Sequence, residues 1–265
     1  MNVVLHRKVV LTDDDLPAAL DSDPRQSARL ILTAAGQGIV EAQVLLGQIL
    51  LDGRGISKDP PLALNWFRIA ARSGNAMALN MLGRCLEHGW GCSADAATAA
   101  QHYRTATHAG LDWGMYNLAN LLATGRGLAR DQASAFTLYQ RAADLGHAKS
   151  MNLVGRFFEE GRLVPRNLPL AHDWYRRSAE AGDFRGQFSH AAVLAERNHI
   201  EQALVWLHRA LEAGNLNFLR FARHALLQSS HEAIRILARN YFSRAALLGD
   251  DDDRQAQRDF IQSRG

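Results

Sequence analysis

The chain has 265 residues, of which 47% are hydrophobic and 22% charged. This composition excludes disordered and fibrous classes and leaves one long domain or two short ones. Lys and Arg number 30 against 27 Asp and Glu, and a net charge of +3 on this length is too small for a nucleic-acid footprint.

At the N-terminus, His6, Arg7 and Lys8 interrupt the apolar stretch and Asp13, Asp14 and Asp15 follow at once, so no export signal is expected. No apolar run reaches the roughly 18 residues of a membrane span, so no membrane insertion is expected. Cys85 and Cys92 lack the spacing and companions of a zinc site and read as free thiols of a reducing, cytoplasmic compartment.

From Ala42 the chain repeats itself. Ala42, Gly47, Gly53, Gly55, Asp59, Ala63, Trp66, Phe67, Ala70 and Gly74 recur 36 residues on as Ala78, Gly83, Gly89, Gly91, Asp95, Ala99, His102, Tyr103, Ala106 and Gly110. A third copy holds Gly125, Gly127, Asp131, Ala135, Tyr139 and Gly146, and a fourth Gly155, Gly161, Asn167, Ala171, Trp174, Tyr175 and Gly182. A fifth copy, with Ala203, Trp206, Ala210 and Gly214, is four residues shorter and lacks the Gly-x-Gly turn. A divergent sixth ends at Tyr241, Phe242 and Gly249, and a half-copy (Ala34, Ala35, Gly38) precedes the first.

Each unit reads as two helices. The second carries Ala63, Trp66, Phe67 and Ala70 on one stripe, with Asp59 as N-cap, Pro60 at the first position and Gly74 as the stop. In the shortened copy Asn198 with Glu201, and in the sixth Ser229 with Glu232, have the spacing of a capping box. Trp66, Trp174 and Trp206 are expected in the inter-helix core.

This pattern resembles the Sel-one-like repeat (SLR), a relative of the tetratricopeptide repeat. The resemblance implies an all-α, right-handed superhelical α/α solenoid of helix pairs with a concave inner face, and a role as an adaptor for protein or peptide partners. Three segments are expected: 1–24, an N-terminal segment with a capping helix; 25–249, the solenoid of five to six helix pairs; and 250–265, an acidic tail with a short helix around Arg254–Gln262. Asp250–Asp253 read as a solvated cap for that helix.

The motifs of chemistry are absent. Nineteen of the 21 glycines fall at recurring helix stops, turns or close contacts, which leaves no phosphate loop. The histidines form no His-Glu-x-x-His, and His102 and His190 occupy packing positions of the repeat, where they read as satisfied. No catalytic residue, metal or cofactor is expected. Binding is expected from the first helices, whose ladder carries Asn80, Arg84, Trp113, Tyr116, Asn120, Asn152 and Arg156. Asparagine can bond an extended backbone, arginine can hold a carboxylate, and Trp113 with Tyr116 offers an aromatic anchor. The expected partner is a protein or peptide, such as an acidic or C-terminal tail. The competing reading is a regulatory subunit or small-ligand sensor using the same groove.

Overall fold

The computed structural model describes residues 23–263, which form fourteen α-helices and, among the described residues, no strand. The helices are α1 (Pro24–Gly36), α2 (Val40–Asp52), α3 (Pro60–Arg72), α4 (Ala76–His88), α5 (Ala96–His108), α6 (Asp112–Thr124), α7 (Gln132–Asp144), α8 (Ala148–Glu160), α9 (Leu168–Glu180), α10 (Phe184–Glu196), α11 (Ile200–Ala213), α12 (Leu216–Leu227), α13 (Glu232–Leu248) and α14 (Asp251–Gln262). The chain divides into two compact units, one ending at Leu138 and one beginning at Tyr139. The fold class is all-α, with consecutive helices paired. The capping helix expected within residues 1–24 lies outside the described residues, apart from Asp23, which caps α1 by accepting from the amide of Arg25 at 3.1 Å.

In the first unit each helix from α1 to α6 packs on the next, and α4 also meets α6. The 36-residue period is visible as geometry. Asp59 and Asp95 accept the amides of Leu62 and Thr98 at 2.9 and 3.0 Å and so start α3 and α5. At the far end of the first helices, Gly53, Gly89 and Gly125 hold φ of 72 to 75°, the left-handed conformation that closes a helix. The second glycine of each turn has a different reason to exist. A Cβ on Gly55, Gly91 or Gly127 would lie 2.0 to 2.4 Å from the backbone of Pro24, Pro60 or Ala96, the first residue of the preceding second helix.

The core column runs one residue further along than the tryptophans suggest. Phe67 and Tyr103 are fully buried, and their rings lie against Gly47 and Gly83, where a Cβ would come within 2.5 and 2.6 Å of a ring carbon. Trp66 is only half-buried. It borders the core cluster, with its indole Nε1 lacking a hydrogen-bond partner. The 3.6-residue stripe includes both positions, but only one of two adjacent side chains can point straight between the helices.

In the second unit α8 and α9 pair, α9 packs on α10, α10 on α11, α12 on α13 and α13 on α14, while α8 meets α10 and α11 meets α13. Asn167 caps α9 through the amide of Leu170 at 3.1 Å. Tyr175 repeats the arrangement of Tyr103, its ring 2.6 Å from where a Cβ on Gly155 would be. Trp174 is buried as expected, at 6% exposure, but Trp206 is half-buried and Leu207 takes the core place. Arg177 and Arg209 cover the two indoles at 3.9 and 4.5 Å.

Both expected capping boxes fail. Asn198 adopts φ 60° as the turn residue itself, and His199 starts α11 without a side-chain cap. With four residues removed, the chain must reverse within Arg197–His199, and asparagine tolerates the left-handed conformation this needs. His231 rather than Ser229 precedes α13, and the Ser229 hydroxyl accepts its amide at 3.2 Å. Gly214 and Gly249 end helices with negative φ, −68° and −102°. They are small because the Phe218 ring and the Asp253 carboxylate lie against them.

The acidic run is not simply solvated. Asp250 and Asp253 form a reciprocal capping box that starts α14. Asp253 is 1% exposed and accepts from Arg220 Nη2 at 2.6 Å and Arg223 Nη1 at 2.9 Å. Phe260 stacks on Phe242 with ring centroids 4.5 Å apart, so α14 is docked by charge at one end and by aromatic contact at the other.

Candidate functional site

The seven residues of the expected partner ladder divide between the units. In the first unit, Asn80 and Arg84 stand on α4, and Trp113, Tyr116 and Asn120 on α6. Asn80 does not face solvent. It is 2% exposed, and its Oδ1 accepts from Asn117 Nδ2 at 2.8 Å. The first helix of each pair is flanked by its own partner and by neighbouring pairs, so a residue read as opposite the core can still be enclosed. Asn117 escaped the sequence reading. Its signal is a polar residue in a column that in the other three of the first four copies is apolar, Leu45, Met81 and Leu153. The other ladder residues are half-buried. The Arg84 guanidinium lies 5.0 Å over Trp90, and Trp113 meets Tyr116 edge-on at 6.2 Å. Tyr103 donates to Glu87 at 2.7 Å, and burial pushes its hydroxyl well above the ordinary tyrosine range, so it remains a donor.

In the second unit the ladder opens into a groove. Asn152, Arg156 and Glu159 of α8, Arg185, Phe188, Ser189, Ala192 and Glu196 of α10, and Asn217, Phe218 and Phe221 of α12 line a space of about 570 Å³. Three successive first helices thus share one surface. Asn152 is 4% exposed, and its Oδ1 has no hydrogen-bond partner. Arg156 is exposed and pairs with Glu160 at 3.2 Å. Phe188 meets Phe218 at 5.6 Å and Phe221 at 6.1 Å, and Phe221 is 64% exposed. At the groove's edge Tyr175 donates to Glu159 at 2.6 Å; burial and this bond both push the Tyr175 hydroxyl up. A second space of about 380 Å³ adjoins it, sharing Phe188, Ala192 and Glu196 and walled by Ala191, Ala195, Leu207, Leu226 and Ile234. Asn152 and Arg156 are therefore the two expected residues that line this groove. Arg185, Glu196, Asn217 and the phenylalanines complete it.

The groove's chemistry is recognition: aromatic floor, amides and charged rims. Also on α10, His190 packs edge-on to Trp206 at 5.5 Å, and burial lowers its pKa. Its buried Nδ1 has no hydrogen-bond partner, so it is not the satisfied packing histidine expected. Among the described residues no three His, Cys, Asp or Glu side chains gather as a metal-binding set, and no helix is long and apolar enough to cross a membrane.

Comparison with known proteins matches the geometry. The family model described as Sel1 repeat matches residues 40–75, 76–111, 114–147, 148–183, 194–215 and 235–250. No curated protein matches the chain. Among solved structures, the Sel1 repeat protein from Oxalobacter formigenes is 24% identical with a TM-score of 0.69, over 92% of this chain and 99% of that one. The protective antigen c5321 of uropathogenic Escherichia coli, with an SLR fold, is 22% identical with a TM-score of 0.59, over 95% of this chain and 57% of that one. Immunity protein Pa5087 from Pseudomonas aeruginosa is 13% identical with a TM-score of 0.56, over 79% of this chain and 81% of that one. At these identities the likeness is one of fold.

Proposed function

The chain belongs to the Sel1 repeat family, and on that premise we propose that it is a non-catalytic adaptor that holds a protein partner on the exposed face of its first helices. Proteins of this family generally mediate protein–protein interaction and are generally non-catalytic scaffolds. One observation carries the reading for this chain. Three consecutive first helices present an open groove of about 570 Å³ with Phe188 and Phe221 on its surface. An aromatic side chain 64% exposed inside a concave surface is apolar area held ready for a partner rather than spent on the core.

In this reading Arg156 is partner-facing in the second unit, with Asn152 buried in the groove wall beside it, and Arg84, Trp113, Tyr116 and Asn120 are partner-facing in the first. Asn80 serves indirectly, by holding Asn117. An acidic peptide or C-terminal tail suits the arginines. The free thiols Cys85 and Cys92 suit a reducing compartment, and we place the adaptor in the cytoplasm.

The test is quantitative co-purification from native extract with wild type, with an Arg84→Ala, Asn120→Ala variant and with an Arg156→Ala, Phe221→Ser variant, all of unchanged helicity. A stoichiometric partner that is lost from either variant supports the reading. A partner retained by both moves binding to another face. The alternative, a regulatory subunit or small-ligand sensor, draws on the adjoining space of about 380 Å³, within the size range of ligand sites. It gains if a small molecule rather than a protein co-purifies.

A further inference from the structure

The chain's two cysteines fall on one packing pair of the repeat. In the first copy Ile49, near the end of the first helix, is buried in a core cluster, and Ile56 of the following turn packs against that cluster. In the third copy Leu121 and Leu128 do the same. The corresponding positions of the second copy hold Cys85 and Cys92. The backbone brings this pair together. Gly89 and Gly91 take φ of 72 and 76°, and the amides of Gly89 and Trp90 both donate to the Cys85 carbonyl. The turn therefore folds back over the last turn of α4, and Cys92 Sγ comes to lie 3.8 Å from that same carbonyl oxygen. Exposure divides the two thiols. Cys85 is fully buried in the cluster, whereas Cys92 is half-buried at its edge. A solute reaches Cys92 and not Cys85.

We propose that Cys92 is a modification site for low-molecular-weight disulfides and that Cys85 is its resolving thiol, the two closing a reversible Cys85–Cys92 disulfide. Cys92, as thiolate, attacks one sulfur of the small disulfide; a mixed disulfide forms and one small thiolate leaves. Cys85 then gives its proton to water, and its sulfur attacks Cys92 Sγ. The bond to the small thiol breaks, and that thiol departs with the electron pair and takes up a proton. The chain loses two electrons and two protons, and the small disulfide becomes two thiols. Burial pushes the Cys85 thiol up to about 12, so the second step is slow at neutral pH and the mixed disulfide persists long enough to be observed. The bridge closes the turn that carries Trp90, the ring over which the Arg84 guanidinium lies.

The probe is oxidised glutathione, followed on the full chain by intact mass and by peptide mapping without reduction. Cleavage after Glu87 leaves Cys85 and Cys92 on separate peptides that only the bridge holds together. At neutral pH one glutathionyl group is expected on Cys92, giving way to a chain lighter than the starting one by two hydrogen atoms. Closure is expected to quicken about tenfold for each pH unit between 7 and 9, as more of Cys85 ionises. Cys85→Ala, at unchanged helicity, is expected to keep the glutathionyl group on Cys92, and folded Cys92→Ser to take up none. In a glutathione redox buffer the folded chain is expected to favour the bridge about tenfold more than the same chain in urea, because the fold holds the two thiols together.

A glutathionyl group on each cysteine of the folded chain overturns the proposal, as does a lasting adduct on Cys92 at pH 9 with no bridge. Absence of both adduct and bridge overturns it too. So does a bridge that forms equally well in urea, since the fold then contributes nothing to the pairing.

Discussion

Single residues in this chain are constrained by what touches them, and two glycines show different constraints. Gly83 sits beneath the Tyr103 ring, and Gly83→Ala would put a methyl 2.6 Å from it. The ring is fully buried and cannot move aside, so the substitution is expected to cost about 1–3 kcal/mol in chemical denaturation. Gly74→Ala meets no atom within 4 Å but must hold φ +77°, and about 1 kcal/mol is expected from backbone strain alone. The cysteines also differ. Burial pushes the Cys85 thiol up to about 12, with Cys92 adding to the shift, whereas Cys92 is half-buried beside the Cys85 carbonyl. Iodoacetamide at pH 8 is expected to label Cys92 in the folded chain and to reach Cys85 only after denaturation. Equal labelling rates at the two thiols would contradict the burial of Cys85.

At the scale of the element, α14 is the helix most dependent on one side chain. Asp253→Ala leaves Arg223, itself 10% exposed, without its carboxylate, and a loss of about 3 kcal/mol is expected. Arg220 beside Asp253 holds its carboxyl at about 2, below the ordinary 3.8. The stability it contributes is therefore complete above the ordinary value and disappears as pH falls through about 2. Circular dichroism between pH 5 and 2 is expected to show a loss of helix that is flattened in Asp253→Asn. Period and turn residues made most helices legible in the sequence, because Asp59, Asp95 and Asn167 cap wherever the spacing puts them. The same reasoning misplaced Asn198 and Ser229, since a capping-box spacing does not reveal that four missing residues have tightened the turn. It also read Asp253 as solvated, because two arginines thirty or more residues away cannot be paired with it from local pattern. The groove was half legible. Asn152 and Arg156 stand out by their place in the repeat, but Phe221 lies in the divergent sixth copy, where the ladder offers no register.

Over the whole molecule, repeats bury their cores against neighbours, so damage should stay local. Phe67→Ala removes a fully buried ring, at an expected cost of about 3–5 kcal/mol. Hydrogen exchange is expected to accelerate first in α2, α3 and α4, with amides of α11 to α13 holding their protection longest; uniform acceleration along the chain would contradict nearest-neighbour stability. The second turn glycines give this locality a direction. Gly55, Gly91 and Gly127 each rest on the opening residue of the preceding second helix, Pro24, Pro60 and Ala96. A turn therefore emerging from the ribosome meets a seat already synthesised, and that seat waits for nothing further downstream. Assembly can advance in step with translation, each repeat being ratified by its predecessor.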